Sequence, residues 1–203
     1  MLTGLRPRED FVMKFLWSLW IITLTLCFTS CETKKEPAKQ EVQKKPPAGY
    51  IMNFKPNDSP DLVPPKTLML LPSPAEGQNI FCLDVMAKKV DPIAGVSFEL
   101  NFDPAGVSYQ SYKPGALFEE KGKPVYQVGT IGDQKGKLGV KISSESGSAG
   151  TAGSGKVVTL CIKALKPGRV DLLFENGELL DLKKKKMTEV TWVGGLLWVL
   201  EAN

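Results

Sequence analysis

The chain contains no histidine. That removes the commonest general base and the commonest metal ligand, and with them any triad or thiol nucleophile built on an imidazole. Cysteine is scarce, at 4 residues in 203, and aromatic residues make up 8%. Charge of one sign is also lacking: 26 basic against 22 acidic residues leave a net +4, too small and too dispersed for a nucleic-acid footprint. No apolar run is long, since the best, from Phe15 to Ser30, falls short of the roughly 20 residues a spanning helix needs. A helical period of 3.6 is absent from any window of about twelve residues. Carboxylates alone remain for catalysis. Asp84, Glu99, Asp103 and Asp181 fall in strands or tight turns, and no motif pairs them. Asp103-Pro104 suits a turn, where Asp bonds back to nearby amides. The sequence therefore carries no catalytic residue that we would assign, no metal site and no cofactor site, and an enzyme is not expected.

What is present begins with an export signal. Met13-Lys14 is followed by the apolar run FLWSLWIITLTLCFTS and then Cys31. A basic residue, a short apolar core and small residues before a cleavage point make a secretory signal, with Met13 the natural start. Thr29-Ser30-Cys31 resembles the bacterial lipoprotein box, which implies lipidation of Cys31; Cys27 fits less well because Leu26 precedes it. Glu32 follows the lipidated position in place of the inner-membrane retention Asp, so an outer-membrane anchor is expected in a cell that has that membrane. Residues 32–64 open with ETKKEPAKQEVQKKPPAG, rich in Lys, Glu and Pro and almost free of apolar side chains. Such a segment cannot bury enough surface to fold, and it is expected to be an extended tether between the signal (1–31) and a folded domain (65–203).

One stretch suggests a nucleotide. GTAGSGKV, Gly150 to Val157, matches the glycine-and-lysine spacing of a phosphate-binding loop. Its surroundings refute that reading. A polar ESGSA precedes it where a buried strand is required, a β-branched strand follows where the phosphates need a helix N-terminus, and Val157 stands where Mg²⁺ needs a hydroxyl. The stretch is expected to be a flexible turn entering a strand.

The folded part reads as strands. Apolar segments recur at 67–72, 79–87, 94–102, 107–112, 124–130, 137–143, 156–165, 169–175, 177–182 and 190–200, separated by Gly, Pro and Asp turns. Short strands at roughly 8–12-residue spacing indicate an antiparallel sandwich or jelly roll. PGALFEEKGK is the best helical candidate, at one or two turns. Alternation assigns faces: Phe81, Leu83 and Val85 share one side and Cys82, Asp84 and Met86 the other, while Val96, Phe98, Leu100 and Phe102 oppose Ser97, Glu99 and Asn101. Val158, Leu160, Ile162 and Ala164 point inward and Thr159, Cys161 and Lys163 outward.

Order and spacing together resemble the cohesin domain. The strand Phe81-Leu83-Val85 is followed by Gly95, Phe98, Leu100, Phe102 and Asp103-Pro104, then by Pro114-Gly115 with Leu117-Phe118. Gly153-Ser154-Gly155, Leu160-x-Ile162-Lys163-Ala164, Pro167-Gly168 and Leu172, Phe174, Leu180 and Asp181 continue the pattern. The resemblance spans about residues 65–201 and implies a nine-stranded all-β jelly roll that binds a dockerin-like module, any calcium sitting on that partner. The binding face it implies is an outer sheet surface with Ser97, Glu99, Asn101, Gln127 (or Tyr126), Lys141, Ser143, Asn176 and Glu178, with Gly177 beside them. The chain departs from the family pattern at Lys183 to Lys186, where four consecutive lysines offer a basic turn to an acidic partner or simply a solvated loop.

A cohesin-like fold also makes the strands of Cys82 and Cys161 antiparallel neighbours, with both cysteines on an outer face and a disulfide between them chemically reasonable in an exported compartment. Trp192 and Trp198 share parity in VTWVGGLLWVL, either packing the terminal strand into the core or, with Tyr109, Tyr112 and Tyr126, lining a sugar platform; Gly194-Gly195 can shift that register. The expected function is that of a lipid-anchored protein-binding module. The alternatives are a carbohydrate-binding lipoprotein and an accessory subunit of an envelope secretion or pilus assembly.

Overall fold

A computed structural model describes residues 49–119, 123–132, 134–144 and 150–202. The signal, Cys31 and most of the tether lie outside the described residues. The elements run β1 (Tyr50–Pro56), β2 (Thr67–Gly77), β3 (Ile80–Asn101), β4 (Val107–Pro114), α1 (Ala116–Glu119), β5 (Val125–Ile131), β6 (Gln134–Ser143), β7 (Thr151–Ala164), β8 (Gly168–Asp181), β9 (Thr191–Val193) and β10 (Gly195–Glu201). The fold is an all-β sandwich with ten strands where nine were expected.

The long strand β3 belongs to both layers. Its first half pairs with β2 and β7, and β7 pairs in turn with β4, while β2 takes β9 alongside in parallel. Its second half, from Gly95, pairs with β6 and β8; β5 extends the β6 side, and β10 and then β1 extend the β8 side. Between the halves the pairing with β7 shifts register from Val85 to Ile93, with Lys89 at φ 47°. Bulges of this kind let a strand turn from one sheet into the other. The segments 79–87 and 94–102, separate in the sequence reading, are thus one element, as are 169–175 and 177–182.

The inward faces meet in one core. Leu70, Leu83, Val85, Leu160 and Ile162 of the first layer and Val96, Phe98, Leu100, Leu138, Val140, Leu172 and Leu197 of the second are buried in it. At about 1.5–3 kcal/mol for each fully buried aliphatic or aromatic side chain, this core is the main stabilising term. α1 is one turn long, and its Leu117 and Phe118 are buried.

Three expectations change. The fold begins before residue 65: Tyr50–Pro56 pairs with β10 along its whole length, from Tyr50↔Glu201 to Pro56↔Gly195, and sends Tyr50, Met52 and Phe54 onto the core. The stretch GTAGSGKV is not a turn, because β7 already starts at Thr151, with Gly150 and Gly153 at positive φ at its entry. The cysteines, although on the side away from the main core, are fully buried. β7 is a central strand, and long side chains cover its outer side: Glu76 Oε2 lies 3.8 Å from Cys161 Sγ and is ion-paired to Lys113. Cys82 and Cys161 stand directly opposite each other with Cα atoms 4.1 Å apart, joined by a disulfide of S–S 2.04 Å.

Candidate partner-binding face

The outer face of the second layer is built from four aligned rungs. Val125, Ser143, Gly95 and Leu180 form the first, and Gln127, Lys141, Ser97 and Glu178 the second. Gly129, Gly139, Glu99 and Glu175 form the third, and Lys137, Asn101 and Leu173 the fourth. The period of two along each strand places all these side chains on one side of the sheet. All eight residues named from the sequence are brought to this face: seven stand in the rungs, and Asn176 occupies the bulge of β8 between Glu175 and Glu178.

That bulge has a physical cause. A Cβ on Gly177 would lie 2.3 Å from Cε2 of Trp192, so the ring packs against bare backbone there. Asn176 takes φ 48° beside it. Trp192 also packs on Phe98 and Phe174, with ring centroids 5.8 and 5.3 Å away, so it closes one end of the core. Gly177 is therefore covered from behind. Tyr126 faces inward too, stacked on Tyr112 at 6.0 Å with its hydroxyl donating to the Gly115 carbonyl at 3.3 Å, which leaves Gln127 as the outward residue of that pair.

The shared parity of Trp192 and Trp198 does not survive the Gly194-Gly195 step. Trp192 lies on β9 in the first layer and Trp198 on β10 in the second, where it is 37% exposed. The two indoles form no common platform.

The centre of the face is a shallow depression lined by Ser97, Glu99, Gln127, Gly129, Gly139, Lys141 and Asn176. Gly129 and Gly139 are directly opposite each other, so the floor there is backbone. A Cβ built on Gly129 would meet nothing within 4 Å.

The electrostatics gather at one edge. Lys137 Nζ lies 3.0 Å from Glu99 Oε2 and 3.3 Å from Glu175 Oε2. The Glu99 carboxylate, then that of Glu175, raises the Lys137 ammonium above its ordinary range. The Asn101 side-chain amide, then Lys137, holds Glu175 below the usual carboxylate range. Asn101 Oδ1 is buried without a hydrogen-bond partner, a state that costs about 1–3 kcal/mol in general. The sequence reading missed Lys137 and Glu175. Lys137 shares parity with Lys141, a signal that was present, whereas the bulge at Asn176 hides the alignment of Glu175 with Glu99.

The other carboxylates hold structure together. Asp103 accepts the Ala105 amide at 2.9 Å, and Asp181 Oδ1 accepts the amides of Lys183 and Lys185 at 2.8 Å each, closing the turn that carries the four lysines. Asp84 accepts from Thr159 at 2.5 Å and pairs with Lys156 at 3.0 Å on the outer side of the first layer. The lysine turn borders the face, and Lys186 reaches Glu178 at 3.2 Å.

Comparison with known proteins agrees with this architecture. The second type II cohesin module of the adaptor ScaA scaffoldin of Acetivibrio cellulolyticus is similar at 16% identity and TM-score 0.51, over 63% of this chain and 85% of that one. A solution structure of the cohesin CaCohA2 of Clostridium acetobutylicum is similar at 13% identity and TM-score 0.51, over 64% of this chain and 87% of that one. A crystal structure of a complex of CaDoc0917 with CaCohA2 gives 12% identity and TM-score 0.50, over 71% of this chain and 97% of that one. No curated protein sequence matches the chain. The family model described as the cohesin domain matches residues 75–195, more than half of the chain and all of the sandwich from the end of β2 to the start of β10, and the chain therefore belongs to the cohesin family.

Proposed function

We propose that the protein is a lipid-anchored cohesin module of the cell envelope that binds a dockerin-type partner through the outer face of its second layer. The observation that carries this reading is the gathering of Gln127, Lys141, Ser97, Glu99 and Asn176 around one shallow depression within the family-matched residues. A flat polar surface with an ion-paired edge suits a protein partner, whose helices supply complementary polar groups. Recognition is non-covalent, and any calcium belongs to the partner. Among the described residues Trp192 faces the core and Trp198 projects outward from the other layer, so the two indoles form no row that would favour a polysaccharide.

The anchor rests on Thr29-Ser30-Cys31 and the apolar run before it, and the Lys/Pro-rich segment that follows would hold the domain off the bilayer. Glu32 after the lipidated cysteine, in place of the inner-membrane retention Asp, supports an outer-membrane anchor in a cell that has that membrane. Radiolabelled palmitate should enter the wild-type chain and not Cys31→Ser. For the partner, the immobilised domain should retain dockerin modules with calcium and release them with chelator. Retention of a polysaccharide that ignores the chelator, with no dockerin held, would sink the proposal.

A further inference from the structure

The β10–β1 ribbon extends the sheet of the face beyond the family-matched residues. The family match ends at Gly195, the first residue of β10, and β1 lies wholly before it. Both strands continue the same sheet past β8: Trp198 stands opposite Arg169 on one side and Asn53 on the other, and Leu200 opposite Ile51. Along β10, Leu197 and Val199 are buried inward, while Leu196, Trp198 and Leu200 point outward. A strand apolar on both sides is the pattern of one covered on both faces. Here the outer side is open: Ile51 is 52% exposed, Leu200 51%, and Leu173 on neighbouring β8 47%.

The distribution of such residues is uneven. Of the eight exposed large hydrophobics among the described residues, Ile51, Val125, Leu173, Trp198 and Leu200 project from this one sheet surface. The other three, Leu62, Leu165 and Leu182, lie in loops. Val125 stands at one end of this surface and the ribbon at the other, since β10 pairs with β8 from Leu172 back to Gly168 while the rungs of the depression meet β8 at Glu175 and Glu178. Within the ribbon Ile51, Trp198 and Leu200 cluster beside the polar Asn53 and Arg169, and an exposed Trp is a typical anchor at an interface.

We infer that one protein partner spans the polar depression and the β10–β1 ribbon together, meeting Ile51, Trp198 and Leu200 with apolar side chains of its own. This rests on the reading of the sheet face as the partner-binding site. Continuity decides the occupant: the apolar side chains project in the same direction as Glu99 and Lys141. A bilayer seated on Trp198 would bury the Arg169–Asp171 ion pair of the adjoining strand, 3.1 Å long, and burying ion pairs in lipid is costly. Trp198 stands opposite Arg169 and Gln127 in the rung of Glu178, nine residues further along β8, so at roughly 3.3 Å per residue the partner must reach about 25–30 Å along the sheet. At about 1.5 Å rise that span takes about 17–20 helical residues, so a partner with a helix of that length, or with more than one element, can reach both parts.

The test is photo-crosslinking of the full chain in the cells that make it, with benzoylphenylalanine replacing either Gln127 or Trp198. The expected result is one and the same polypeptide attached from both positions, lost on calcium chelation. Trp198→Ser and, separately, Leu200→Ser should cut the yield from position 127 about tenfold or more with the thermal midpoint held. An adduct from position 127 alone removes the ribbon from the interface and leaves the face reading intact. Attachment of lipid or of a second copy at position 198 overturns the inference in favour of those occupants. An adduct from position 198 alone, or from neither, overturns the inference and the face reading together.

Discussion

Removing the Cys82–Cys161 bond should cost the domain a substantial part of its stability. The bond joins residues 79 apart, β3 to β7, across the middle of the first layer. Loop-closure entropy for a ring of that size gives about 4.5 kcal/mol at 25 °C, set against typical measured values of about 2–4 kcal/mol. In a domain of this size that corresponds to a fall in melting temperature of roughly 10–15 °C. The perturbation is the double variant Cys82→Ala with Cys161→Ala, which avoids leaving buried hydroxyls in place of the sulfurs. Both sulfurs are fully buried, so the reduced wild-type arm must be prepared by adding reductant to unfolded protein and then refolding. Urea titrations followed by tryptophan fluorescence give the midpoint and slope of each form, and alkylation under denaturing conditions counts free thiols. The oxidised protein should unfold at clearly higher urea, with a shallower slope, because its unfolded chain is held more compact. Equal midpoints for the oxidised and cysteine-free proteins, with the bond confirmed by mass, would refute the reasoning, since the covalent ring would then restrain nothing that matters.

The depression can be filled without harming the fold. Gly129→Val adds a residue suited to a strand where an added Cβ meets no atom within 4 Å, so melting should hold within about 1 kcal/mol while dockerin retention falls at least tenfold in a calcium-dependent pull-down. Gly177→Ala should do the reverse, destabilising by about 1–3 kcal/mol through overpacking against Trp192, detectable as a lower urea midpoint and altered tryptophan emission. At alkaline pH four groups act in one direction: the Asp91 carboxylate raises Lys66 and the Glu99 carboxylate, then that of Glu175, raises Lys137 from their ordinary 10.5, and burial raises Tyr109 and Tyr126 from 10.0. A raised folded value contributes stability that is full below the unfolded value and lost as pH climbs through the folded one, so melting temperature should be flat to about pH 10 and fall above it. At the acid end Glu175 is held low, so its contribution is present above its ordinary 4.5 and should fade as pH drops through its lower folded value; Glu175→Gln should flatten that limb of the curve.

Much of the architecture was legible because alternation is local. Phe81-Leu83-Val85 and Val96-Phe98-Leu100 announce their inner faces residue by residue, and the structure buries each of them. What escaped depends on partners far away in sequence. In YIMNFKP the inward residues Tyr50, Met52 and Phe54 follow the period of a strand, yet the segment borders a Pro- and Lys-rich stretch, and only pairing with β10 makes it one. AKKVDPIAG carries a proline and a glycine and resembles a turn; the bulges that carry β3 between layers become visible only against β7. At the face, parity found Ser97, Glu99 and Asn101, but the opposition of Gly129 to Gly139 is a property of register that no single strand reveals. The outward parity of Cys161 held while its exposure did not, because Glu76 and Lys113 come from other strands to cover it.

The disulfide also sorts the molecule mechanically. The leading segment enters the fold at Gly49, and β1 pairs with β10 alone. With the leading segment anchored as proposed above, a pull on it against a bound partner would load β1 at its Tyr50↔Glu201 end first. Peeling that went on through β2 would halt at Cys82, since the chain from there to Cys161 is a closed ring. Ser97, Glu99, Asn101, Gln127, Lys141 and Ser143 all lie within that ring. Under strain β1 would act as a fuse and the residues inside the ring as the part that is spared, so a tethered complex could lengthen before it lets go.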